Sequence, residues 1–72
     1  MPRYHFDLVD STTVADEGGA EVQDDVMAMD VAEGIARKLV VQRPELKNRH
    51  FSIVVSNEEG QEVGRAPLDV TH

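Results

Sequence analysis

Two stretches of strand-period alternation flank one stretch of helical periodicity, and that order leaves few folds open to a chain of 72 residues. Near the start, apolar Tyr4, Phe6 and Leu8 alternate with His5 and Asp7; later, Phe51, Ile53 and Val55 alternate with Ser52, Val54 and Ser56. A two-residue period places each apolar set on one side of a pleated strand. Between them, Ala28, Met29, Ala32, Ile35, Ala36 and Leu39 share one stripe at about 100° per residue, the buried face of an amphipathic helix. Three alanines in that stripe permit close approach to a sheet.

Boundary signals agree with the periodicity. Asp24 is the expected N-cap, because its carboxylate accepts orphan backbone N–H groups at the positive end of the helix dipole. The helix is expected from Asp25 to Gln42, stopping where Arg43 precedes Pro44, whose ring disfavours the α conformation before it. Arg37, Lys38 and Arg43 complement the dipole toward the C-terminal end, and Glu33 with Arg37 has i,i+4 spacing. Asp10-Ser11-Thr12 reads as a turn, and Thr12 to Ala15 as a short returning strand. Asp16-Glu17-Gly18-Gly19 then reads as a loop leading into the helix. After the central strand, Asn57-Glu58-Glu59-Gly60 turns the chain back with Gly60 left-handed, setting Val55 opposite Val63. The last strand is expected from Gln61 to Ala66, ending before Pro67 or lying at an edge.

The expected architecture is a single α+β domain over residues 1–72, β-β-α-β-β, with one helix packed on one face of a small, mostly antiparallel sheet. The opposite face would carry His5, Asp7, Val9, Ser52, Val54 and Ser56. A domain this small buries only about 60% of its unfolded surface. With no cysteine, neither disulfides nor a thiolate zinc site can compensate, which leaves self-association as the remaining source of stability. Strand character beginning at residue 4 is read as leaving no room for a targeting leader, and no apolar run approaches the roughly 18 residues of a membrane span. The expected location is cytoplasmic, without membrane contact.

Charge is unevenly distributed within a net of -7. Nine acids against Arg3 alone lie up to Ala36, whereas six bases and five acids follow. An anionic surface repels nucleic-acid phosphates and anionic lipid. The later basic block, Arg37, Lys38, Arg43, Lys47, Arg49 and His50, lacks free aromatics for base stacking, because Tyr4, Phe6 and Phe51 are claimed by the core. No nucleic-acid partner is expected.

Few residues suggest chemistry. His5 and Asp7 are neighbours on one strand face, as a base and its orienting carboxylate must be, but Ser11, Thr12 and Thr13 offer no activated nucleophile. Asp10, Asp16, Glu17, Asp24 and Asp25 are oxygen donors without the spacing of an EF-hand loop. His5, His50 and His72 are too dispersed for a transition-metal site. No catalytic, cofactor-binding or metal-binding residue is assigned.

Two surfaces remain. Met27, Val31, Gly34 and Val41 form a second helix stripe with Lys38, away from the core face. Asp16, Glu17, Glu21, Asp24 and Asp25 form an acidic patch. The expected function is a non-enzymatic module that self-associates or docks on a protein partner. One alternative is an acidic mimic that occupies a cationic protein surface, and another is a small metal-dependent or hydrolytic enzyme built on His5, Asp7 and the acidic loop.

The opening Met1-Pro2-Arg3-Tyr4 with Phe6 and Asp10, then Asp16-Glu17-x-Gly19-x-Glu21-Val22-x-Asp24, then Ala28 and Ala32, resembles a family of short alphaproteobacterial proteins grouped as a domain of unknown function. Ile53-Val54-Val55, Glu58-Glu59-Gly60 and Val63 continue the likeness along nearly the whole chain. Ser11 departs from it, standing where a turn glycine is common. The resemblance implies a small bacterial cytosolic domain and supplies no catalytic residues.

Overall fold

The computed structural model describes residues 2–48 and 50–68. Strand β1 (Arg3–Val9) and strand β2 (Val14–Glu21) form a hairpin, and helix α1 (Asp25–Gln42) follows. A 3-10 turn (Pro44–Asn48) then leads to strands β3 (Ser52–Ser56) and β4 (Glu62–Pro67). All neighbours are antiparallel, in the order β2-β1-β3-β4, so the two hairpins meet along β1 and β3. The α+β, β-β-α-β-β reading of the sequence holds.

Helix α1 begins and ends where its local chemistry directs. Asp24 is extended, and its Oδ1 accepts the Met27 N–H at 2.9 Å. At the other end the Arg43 N–H donates to the Leu39 carbonyl at 2.7 Å, and Pro44 prevents another turn. The 3-10 turn beyond was not expected from the sequence; it buries Leu46 against the core. Among the described residues, Glu33 and Arg37 do not form the expected ion pair.

Ala28, Ala32, Ala36 and Leu39 are buried, with Met29 and Ile35 packed at the margin. They meet Tyr4, Phe6 and Leu8 from β1, Ile53 and Val55 from β3, and Ala66 from β4. The helix lies over β3 and β4, where Gly64 admits the Met29 side chain: a Cβ there would come within 2.6 Å of Sδ. Burying a side chain such as Phe6, Ile53 or Val55 contributes about 1.5 to 3 kcal/mol. The Tyr4 hydroxyl reaches out of this core and donates to Asp25 Oδ1 at 2.6 Å, tying the first strand to the first turn of the helix.

Two expectations fail in the same way, through a bulge. The segment Asp16-Glu17-Gly18-Gly19 is not a loop, and the second strand does not end at Ala15; β2 runs from Val14 to Glu21. His5 pairs with Gly19 while Asp7 pairs with Asp16, so Glu17 and Gly18 together oppose Phe6. Gly18 takes φ +102°, which a side chain would resist, and its N–H donates to Asp16 Oδ1 at 2.6 Å. The extra residue restores parity. Ala15 and Ala20 are an odd number apart, yet they pair with Leu8 and Tyr4 and pack on the same core. In the second hairpin, Gly60 is left-handed as expected (φ +82°), but Val55 pairs with Gly64 rather than Val63. Val63 is the bulged residue there, between partners Glu62 and Gly64.

The first turn is an Asx turn: Asp10 Oδ1 accepts the N–H groups of Thr12 and Thr13 at 2.9 and 2.6 Å. Those bonds, the Thr12 N–H foremost, hold the Asp10 carboxyl below the usual carboxylate range.

Candidate functional site

Three surfaces could carry function, and each begins with how the fold presents its residues. On the outward side of α1, Met27 is 45% and Val41 79% exposed, with Val26 exposed beside Met27. Val31, from the same sequence stripe, stands at its flank, partly buried and packed on the edge of the core. Gly34 lies between them, and a Cβ built on it meets nothing within 4 Å. No atom of the domain requires a glycine there, although glycine in a helix interior costs about 1 kcal/mol relative to alanine. Asp30, Glu33, Arg37 and Lys38 line the same outward side; all are exposed, and among the described residues none enters an ion pair.

The uncovered face of the sheet is the second surface. His5 and Asp7 stand two apart on β1, as the alternation predicts, and Asp16 joins them because it pairs directly with Asp7 across the ladder. His5 Nε2 lies 3.0 Å from Asp7 Oδ1 and 3.5 Å from Asp16 Oδ1, and one ligand atom from each falls within 4.8 Å of the others. Like charges directly opposite on adjacent strands repel. The His5 ring lies between the two carboxylates and is within reach of both. One imidazole and two carboxylates are also a donor set for a divalent cation of the zinc class, with water completing the shell. His5 and Asp16 are exposed and Asp7 is partly buried. Further along this face Val54 is only 8% exposed, although it lies outside the main core cluster, so the face is drier at its centre than its serines suggest. A shallow depression lined by Val9, Asp10, Ser11, His50, Ser52 and Arg65 lies toward the turn. Arg65 is held there in a two-point contact with Glu62, 3.0 Å on each arm, which lowers the Glu62 carboxyl below its ordinary value and raises the Arg65 guanidinium.

The acidic patch is the third surface, and it is divided. Asp16, Glu17 and Glu21 belong to strand β2 rather than to a loop, while Asp24 and Asp25 sit at the helix start. Three of the five carboxylates are engaged within the chain. Asp24 caps the helix, Asp25 accepts from Tyr4, and Asp16 accepts the Gly18 N–H. The Asp25 bond, with burial and further negative charge nearby, pushes the Tyr4 phenol up to about 12. In the basic block, Arg43 lies 3.6 Å from Glu45, whereas Arg49, the Lys47 side chain and the separate His72 lie outside the described residues.

Both edges of the sheet resist extension. The β2 edge carries the Gly18 bulge and the acids Asp16, Glu17 and Glu21; the β4 edge carries the Val63 bulge and Pro67. Bulges, charge and proline are the usual obstacles to edge pairing. No helix is long and apolar enough to cross a membrane among the described residues.

Sequence reading pairs His5 with Asp7 and joins the acidic loop to them in the enzyme alternative, without singling out Asp16 as the third member. The available signal was the odd spacing of Ala15 and Ala20, which requires one extra residue if both are to face the core. Over residues 3–69 the chain matches the family described as Domain of unknown function (DUF6894). No curated protein and no solved structure matches it.

Proposed function

The chain belongs to the DUF6894 family, and we propose that it is a non-enzymatic protein-interaction module that docks through the outward side of helix α1. The observation that carries this reading is Gly34, a helix-interior glycine with open space at its Cβ position, set between exposed Met27 and Val41. A glycine costly to the helix and unneeded by the fold gains a reason if another backbone approaches it. The obstructed sheet edges favour the same surface over strand addition.

The competing readings have less support. An acidic mimic needs its carboxylates free for a cationic partner, and Asp16, Asp24 and Asp25 are engaged internally. A hydrolytic or metal-dependent enzyme is best served by a concave site that encloses its substrate, whereas His5 and Asp16 are exposed and Asp7 is only partly buried. A bacterial cytoplasmic setting is what the family resemblance implies for this docking.

Site-specific photo-crosslinking in cells expressing the full chain tests it. A benzophenone side chain at Val41 is expected to give discrete protein adducts. The same group at Val14, an equally exposed valine on the β2 edge, is expected to give none. No adduct from Val41, or equal adducts from both, would overturn the reading.

A further inference from the structure

We infer that the partner on the outward helix face is a second copy of this chain, with the two helices antiparallel about a two-fold axis beside Gly34. This rests on the docking reading above and deepens it by naming the occupant. The argument is the charge order along α1, taken at about 1.5 Å of rise per residue.

A two-fold axis perpendicular to both helices sets residues before Gly34 in one copy level with residues after it in the other. Met27 and Val41 are each seven positions from Gly34, so each exposed apolar side chain of one copy meets its opposite in the second. Asp30 and Glu33 precede Gly34 on one flank of the face, and Arg37 follows it on that same flank. Arg37 of the second copy therefore falls between Asp30 and Glu33, and the contact occurs twice by symmetry. On the other flank, partly buried Val31 comes level with the aliphatic stem of Lys38 from the second copy. The surface is thus self-complementary, which an isologous dimer requires.

The parallel alternative fails on the same residues. It would set Asp30 against Asp30 and Lys38 against Lys38, repulsion without compensation. Glycine at the crossing point lets the axes approach closely, and the absence of any atom near its Cβ position leaves that space to the second helix. A single helix pair is smaller than a standard stable interface, so association is weak and is seen at micromolar to millimolar chain.

Sedimentation equilibrium on the purified full chain over that range is the test, with a charge exchange on exposed side chains that leaves the core untouched. The wild-type chain is expected to dimerise reversibly. Arg37→Asp is expected to weaken the dimer by about tenfold, and adding Asp30→Arg to restore it to within about threefold. A wild-type chain that stays monomeric at millimolar concentration overturns the inference, as does a dimer indifferent to both variants. In either case, heterologous adducts from Val41 in the crosslinking experiment would leave the docking reading standing, so the two failures are separable.

Discussion

The two sides of helix α1 obey opposite rules. Inward, Ala28, Ala32 and Ala36 are nearly or wholly buried, and each small side chain is small because the sheet is close. Outward, Gly34 is smaller still, yet nothing in the domain lies near it. Small residues on the inner side are explained by the fold, and the one on the outer side is not. The difference separates residues that make the chain fold from residues available to a partner.

Breaking the inner side should have the largest effect. Ala32→Asp places a charge with no partner at a position of zero exposure, and the domain is expected to lose its cooperative thermal transition by circular dichroism. A folded variant would mean that the buried side of the helix is misassigned. The N-terminal junction between helix and sheet is expected to give way more gradually, at high pH. Tyr4 is the sole tyrosine, so tyrosinate absorbance reports on it alone, and its midpoint is expected near 12 rather than the ordinary 10.0. Because the folded state holds this proton more tightly, its stabilising contribution is complete below pH 10.0 and is lost as pH rises through about 12. A titration at the ordinary value would remove the Asp25 contact from the account. Smaller again, Asp24→Ala is expected to cost about 1 kcal/mol in denaturant unfolding through loss of the cap to the Met27 N–H. On the outer side, Val41→Lys is expected to change the stability of the dilute chain by less than about 0.5 kcal/mol. A larger loss would place Val41 in the fold rather than on the docking surface.

The two hairpins differ in how much of them could be read from sequence, and the reason is physical. Periodicity and caps are local, so α1, its Asp24 cap and its stop at Pro44 are legible from neighbours alone. The alternation of Tyr4, Phe6 and Leu8, and of Phe51, Ile53 and Val55, likewise fixes which faces are buried. A bulge is not local in this sense. It shows only as a parity conflict between Ala15 and Ala20, and glycines and acids beside it imitate a loop. That is why the sequence alone ends β2 early, does not single out Asp16 from the acidic loop as the residue opposite Asp7, and sets Val63 one position out of register. The partial burial of Val31 escapes the sequence for a related reason. At the flank of the stripe, burial depends on how far the sheet extends beneath the helix, which no spacing along the chain encodes.

One substitution sets the two sides of the helix directly against each other. Gly34→Leu adds a good helix former in open space, so the dilute chain is expected to gain about 0.5 to 1 kcal/mol in thermal unfolding. The same side chain holds a second helix away, so sedimentation equilibrium at millimolar concentration is expected to show the variant monomeric where the wild-type chain dimerises. A Gly34→Leu chain that associates as the wild type does would contradict the account, because the space beside Gly34 would then serve no partner.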